Sequence, residues 1–156
     1  MSCLSLGLIF AFIVAERDLG ASLQDQIQIE LQKQGQIIQS SLGRLSQYND
    51  LNSLKDETDA LAQASQSRIT LINSLGVVIS DSNIDVDDLD QIDNHSNRPE
   101  VIDAQNNGMG WSRRFSDTIQ QEMLYFAIVD PSSTQQGIIR LAVPYNYFDQ
   151  AFRSLN

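Results

Sequence analysis

The chain reads as a mixed α/β (α+β) domain in which a long N-terminal helix packs on a central antiparallel sheet. Three observations predict this: an apolar stripe at helical spacing from Glu16 to about Tyr48, a β-hairpin signature at Arg68–Ser80, and three further β-rich stretches behind one short helix. The 156 residues suffice for one ordinary domain with an appendage, and 42% hydrophobic residues supply a core. Twenty acidic against ten basic residues give a formal charge of −10, which argues against nucleic-acid binding and against adhesion to anionic lipid through the net field. Cys3 is the only cysteine, so there is no intrachain disulfide.

Residues 1–15 end in an uncharged apolar run, Cys3–Ala15. At about 1.5 Å per residue it reaches only roughly 20 Å, against a hydrocarbon core of about 30 Å. It reads as the trailing end of a transmembrane helix; a signal segment is the alternative, although no Lys or Arg precedes the run, and a buried helix is the third. Residues 16–64 form the N-terminal helical region. Leu19, Leu23, Ile27, Leu31, Ile37, Ile38, Leu42 and Leu45 fall within an arc of about 140°, so this stripe needs cover from the sheet, from a second copy of the chain, or from both. Gly20, Gly35 and Gly43 each weaken the helix by up to about 1 kcal/mol and predict a kink or fraying. A break at Asn49–Ser53 precedes a second helix to about Ala64, with Leu54 and Leu61 two turns apart.

Residues 65–144 carry the sheet. The hairpin arms Arg68–Ile72 and Val77–Ser80 are rich in β-branched residues and are joined through Asn73, Ser74 and Gly76. The acidic segment Asp85–Asp93 follows. It departs from a calcium loop, with Val86 where glycine is needed and Ile92 where a bidentate Glu is needed, which leaves Asp85, Asp87, Asp88 and Asp90 as a weak metal alternative to a solvated loop. Asn97-Arg-Pro-Glu100 opens a helix with an Asn cap, an early proline and a Glu placed to reach back to the cap; Gly108 closes it. Trp111–Ser116, Met123–Val129 and Ile138–Pro144 are the remaining strands, the last two pairing antiparallel across a turn-rich linker. In residues 145–156, Phe148, Phe152 and Leu155 recur at helical spacing and predict an exit helix toward a second membrane span.

No nucleophile-base-orienter set, Gly-rich phosphate loop or paired metal motif is present, so no catalytic residue and no cofactor are assigned. The informative residues are polar ones on apolar strands. Strand periodicity puts Ser112, Arg114 and Ser116 on one face, where Arg114 offers a fork for a carboxylate or phosphate with Ser116 and the Tyr125 hydroxyl as neutral partners. Alternatively, Arg114 pairs with an acid on a neighbouring strand. Arg140 invites the same two readings, with its apolar neighbours favouring the structural one. His95 and Arg98 lie where Asp81 can meet them, as a ligand wall, a proton-sensitive latch or a fastening of loop to strand.

Five segments in series carry a resemblance: Arg68–Ile72 with Gly76–Ser82, Asn94–Ala104, Gly108–Thr118, Met123–Ala127 and Ile139–Pro144. Together, covering about half the chain, they resemble the extracytoplasmic sensor of phosphate-regulon (PhoR-type) sensor histidine kinases. The resemblance implies a PAS-like or single-Cache fold and a non-catalytic signal-sensing domain on the outer side of a bacterial cell membrane, held by flanking spans. The expected partners are a second copy through the long helix and an unknown small ligand or protein, whose binding displaces the helices. The alternatives are the same module on a chemoreceptor or cyclase, or a divalent-cation sensor using the acidic loop 85–93.

Overall fold

The computed structural model describes residues 24–42, 50–117, 119–131 and 137–146. The expected membrane segment 1–15, Leu19, Leu23, Gly43 and Leu45 of the stripe, and the exit helix beyond Asn146 lie outside these residues. Among the described residues no helix is long and apolar enough to cross a membrane. The chain divides into two compact units, Met1–Glu30 and Leu31–Asn156. Of the first, residues 24–30 are described and are helical.

In the second unit, helical residues 31–42 (α1) precede α2 (Leu51–Ser65), β1 (Arg68–Ile72), β2 (Val78–Asp81), a 3₁₀ helix (Val86–Gln91), α3 (Pro99–Asn107), β3 (Met109–Ser116), β4 (Gln121–Asp130) and β5 (Gly137–Pro144). The five strands form one antiparallel sheet in the order β2-β1-β5-β4-β3. Alternation along the strands divides the core into two layers. One face carries Leu71, Leu124, Phe126, Ile128, Ile139 and Leu141 and meets α1 and α2; the other carries Ile72, Ala127 and Ile138, which pack against Val101 and Ala104 of α3.

The α1 stripe is buried at Leu31, Ile38 and Leu42, but Ile37 is 64% exposed, a departure from the expected arc. Helical geometry runs through Gly35 without the expected kink, because its missing side chain lets the helix sit against Phe126: a Cβ there would stand 2.5 Å from the ring. Further along, Gln39 Nε2 donates to the Val129 carbonyl at 2.6 Å, while the Val129 N–H donates to the carbonyl of Gly108, the C-cap of α3.

α2 begins inside the expected break because Asp50 caps it, accepting from the Ser53 N–H at 2.9 Å. Its buried residue is Thr58 rather than Leu54 or Leu61, and the Thr58 hydroxyl meets that of Ser80 on β2 at 2.9 Å. In the hairpin turn the Asn73 side chain accepts from the N–H groups of Leu75 and Val77, and Gly76 adopts φ +82°, which a side chain tolerates poorly. The Gly76 carbonyl then accepts the His95 N–H at 2.8 Å, fastening the approach to α3 onto the hairpin.

The start of α3 differs from the expected capping box. Arg98 is the N-cap, with no side-chain cap bond, and Pro99 opens the first turn. Glu100 therefore points into the sheet instead of back at the cap, and is fully buried. Gly110 makes this possible. A Cβ at that position would collide with the Glu100 carbonyl and stand 2.6 Å from the Asp103 Cβ, so only glycine lets the α3 backbone lie directly on β3. Replacing Gly110 with Ala should push α3 outward and destabilise the fold by about 1–3 kcal/mol. A chemical-denaturation midpoint equal to that of the native chain would refute this account of the contact.

Candidate ligand-binding face

The α3 side of the sheet is not a uniform apolar layer: a polar network crosses its middle. At its centre is Arg140 on β5, 4% exposed, whose guanidinium donates to Thr70 Oγ1 at 3.1 Å and lies 3.7 Å from Glu100 Oε1. The Thr70 hydroxyl in turn donates a hydrogen bond to Asp81 Oδ2 at 2.6 Å, and Asp81 also accepts from Arg68 Nε at 2.9 Å and from the Asn83 N–H at 2.9 Å. On the other side, Glu100 takes two bonds from Arg114, at 2.7 and 3.0 Å, and one from Ser112 Oγ at 2.6 Å. The Arg114 guanidinium also stacks 3.7 Å from the centre of the Tyr125 ring.

Each group is held by register. Thr70 stands opposite both Asp81 and Arg140, Ser112 stands opposite Tyr125, and Tyr125 stands opposite Ala142. The result is a continuous path, Arg68–Asp81–Thr70–Arg140–Glu100–Arg114, linking four strands and α3. Burial would raise the pKa of Glu100, but hydrogen bonds from Arg114, Ser112 and its own N–H outweigh it, and the carboxyl lies below its ordinary 4.5. Burial pulls Arg140 down to about 10 despite the nearby Glu100, still leaving it charged at neutral pH. His95, 7% exposed, is pushed down to about 4 by burial and then by the charges of Arg140 and Arg98, against partial support from Asp81 and Glu100.

Of the residues singled out from the sequence, Arg114, Ser112 and Tyr125 share the expected face and meet there. Arg114 is already engaged, and its partner is Glu100 on a helix, not an acid on a neighbouring strand. Ser116 lies further out, opposite Gln121 at the end of the β3–β4 pair. His95 and Arg98 come within electrostatic reach of the Arg140 network, while the hydrogen bonds of Asp81 go to Arg68, Thr70 and Asn83. His95 Nδ1, Arg98 Nε and Arg140 Nε are buried without a hydrogen bond. Glu100 and Thr70 were not expected in this cluster, and Asp81, expected against His95 and Arg98, bonds Arg68, Thr70 and Asn83 instead. An arginine set among Ile138, Ile139 and Leu141 signals that some acid must be buried beside it, and Glu100 shares the inward phase of α3 with Val101 and Ala104. In the acidic segment, Asp87 and Asp88 occupy the first turn of the 3₁₀ helix, and Asp88 accepts from the Gln91 side chain at 3.0 Å. Among the described residues no three His, Cys, Asp or Glu side chains gather as a metal site.

Removing one charge from this network leaves others buried and unpaired. Glu100→Ala should therefore cost about 3–5 kcal/mol in equilibrium unfolding; a loss no larger than that of an exposed substitution would show the pair to be dispensable. The unfolded chain protonates His95 near pH 6.5, whereas the folded one resists until about 4. This contribution is present above pH 6.5 and is lost as pH falls toward 4, by roughly 3 kcal/mol over that window. His95→Gln should flatten that part of the stability profile, and an unchanged slope would assign it to other groups.

No protein-family model and no curated protein match the chain. Solved structures do. The sensor domain of the histidine kinase DctB from V. cholerae superposes with a TM-score of 0.64 at 15% identity, over 92% of this chain and 60% of that one. An extracellular ligand binding receptor from Desulfohalobium retbaense also gives 0.64, at 10% identity, over 85% of this chain and 25% of the receptor. A domain of a Vibrio parahaemolyticus protein assigned to the sensory box/GGDEF family gives 0.53 at 14% identity, over 89% and 60% of the two chains. This chain thus spans 60% of the DctB structure it matches. With its long helix and five-stranded antiparallel sheet, it has the PAS-like, Cache-type fold of these domains.

Proposed function

We propose that this chain is a non-catalytic signal-sensing domain on the outer side of a bacterial cell membrane, serving a two-component histidine kinase of the phosphate-response type. The observation that carries the reading is the Arg140–Glu100–Arg114 network, placed between the sheet and a helix in a fold shared with a kinase sensor domain. A protein that needed only stability gains little from burying two carboxylates and a guanidinium where apolar side chains would serve. A domain that must respond to a stimulus gains an element that can settle in more than one arrangement. The phosphate-response assignment rests on the five sequence segments from Arg68 to Pro144.

In this reading two copies pair along the long helix, where Ile37 is available on the outward surface of α1. A stimulus favours one placement of α3 against the sheet, and the flanking helices carry the difference to the membrane. Driving such a switch nearly to completion requires a preference for one state of about 10⁴-fold. A second reading places the same module on a cyclase or chemoreceptor, and the likeness to a sensory box/GGDEF protein supports it. Alkaline phosphatase fused after Asn156 in the native gene should be active, because that enzyme folds only outside the cytoplasm. An inactive phosphatase with an active cytoplasmic reporter at the same junction would overturn the outward placement.

A further inference from the structure

The two edges of the sheet are built differently. β2 offers four residues beside a register shift between Leu71 and Ile72 of its neighbour, and both features discourage a further strand. β3 offers eight residues, without a proline and in unbroken register with β4. Antiparallel pairing turns the backbone groups of alternate residues toward each side of a strand. The Val129 N–H bonds the Gly108 carbonyl, so in the same phase Gly110, Ser112 and Arg114 turn theirs toward β4. Met109, Trp111, Arg113 and Phe115 therefore turn theirs outward, and among the described residues no strand and no backbone group meets them.

The side chains of these four residues form a strip on the α1 side of the sheet. Phe115 is 52% exposed and Met109 36%, with the half-buried Trp111 between them, its ring 4.3 Å from that of Phe126. Charged side chains commonly guard such an edge. Arg113, the one charge of the strip, instead leans back over the sheet, onto Glu122 of β4 and 3.5 Å from the centre of the Tyr145 ring just past β5. We infer that the β3 edge docks an extended segment of another protein, which adds a strand through the outward backbone groups, lays apolar side chains beside Met109, Trp111 and Phe115, and sets an acidic one beside Arg113. A helix would leave the row of donors and acceptors unpaired. A second copy fits poorly: antiparallel pairing of β3 with itself sends the two β5 exits in opposite directions, and parallel pairing turns the two α1 helices to opposite faces of the joined sheet. That choice of a foreign segment over a second copy rests on the proposed membrane placement and helix pairing; the docking edge itself does not.

The test is a titration of the isotope-labelled full chain with the capped heptapeptide Val-Thr-Glu-Thr-Val-Thr-Val, read by amide hydrogen exchange. Laid antiparallel to β3, the peptide sets its Glu beside Arg113 and its Val side chains beside Phe115, Trp111 and Met109. Two N-methylated forms separate backbone pairing from apolar adhesion: methyl groups on the Glu and middle Val amides remove bonds to β3, whereas methyl groups on the Thr amides leave those bonds and block peptide aggregation. The Thr-methylated form should bind saturably and slow exchange at Trp111, Arg113 and Phe115, and the other form should bind at least about tenfold more weakly. Phe115→Pro deletes one outward N–H where an edge strand accepts proline, and should weaken the Thr-methylated peptide about tenfold, while Phe115→Leu retains it. Unslowed exchange at millimolar peptide, equal binding of the two methylated forms, or equal binding by Phe115→Pro and Phe115→Leu would each overturn the proposal. Protection of these amides in the free chain that disappears on dilution would give the edge to a second copy and overturn it as well. Any of these failures leaves the phosphatase-fusion result standing, and an inactive fusion leaves the peptide result standing.

Discussion

The charge of Arg140 is the constraint on which much of the fold depends. A guanidinium 4% exposed on the central strand cannot reach water, so its neighbours must supply what water would. Thr70 gives an oxygen and Glu100 a negative charge. Glu100 is within reach only because α3 lies directly against β3, and α3 can lie there only because residue 110 has no side chain. A charge on one strand thus sets the height of a helix above another.

Two guanidiniums on this face have different fates. Arg114, the more conspicuous in the sequence, is committed through both terminal nitrogens to an internal carboxylate. Arg68, at the start of β1, is held by its inner nitrogen and lines an open cavity beside the C-terminal turns of α2. A buried acid plays opposite parts in the two cases: Glu100 occupies one fork, and Asp81 orients the other. Whether an arginine is structural or available depends on which of its nitrogens the neighbouring acid takes, and no strand pattern contains that information.

The strands were legible because β-branched runs and turn residues are local signals, and the hairpin at Arg68–Asp81 follows them nearly residue for residue. The shared face of Ser112, Arg114 and Tyr125 was legible from the two-residue period. Glu100 was misread because the helix starts at Pro99 behind Arg98, one residue later than the capping pattern implied, and a shift of one residue turns a side chain by about 100°. Ile37 shows the same limit from the other side: it belongs to the apolar arc by angle, yet the sheet covers a narrower stripe than the arc allows. The open cavity beside Arg68 left no linear trace, since its walls come from α2, β1, the β3–β4 turn and β5, brought together by topology alone.

The peptide of Val129 touches two helices at once: its carbonyl takes the side chain of Gln39 from α1, and its N–H holds the carbonyl that closes α3. A hydrogen bond of 2.6 Å does not survive a slide of one helical residue, about 1.5 Å, by either helix alone. The two helices on opposite faces of the sheet are thereby geared through a single residue of β4. Larger excursions must carry both together or disengage the gear, so the sheet serves as an axle between them as well as a floor.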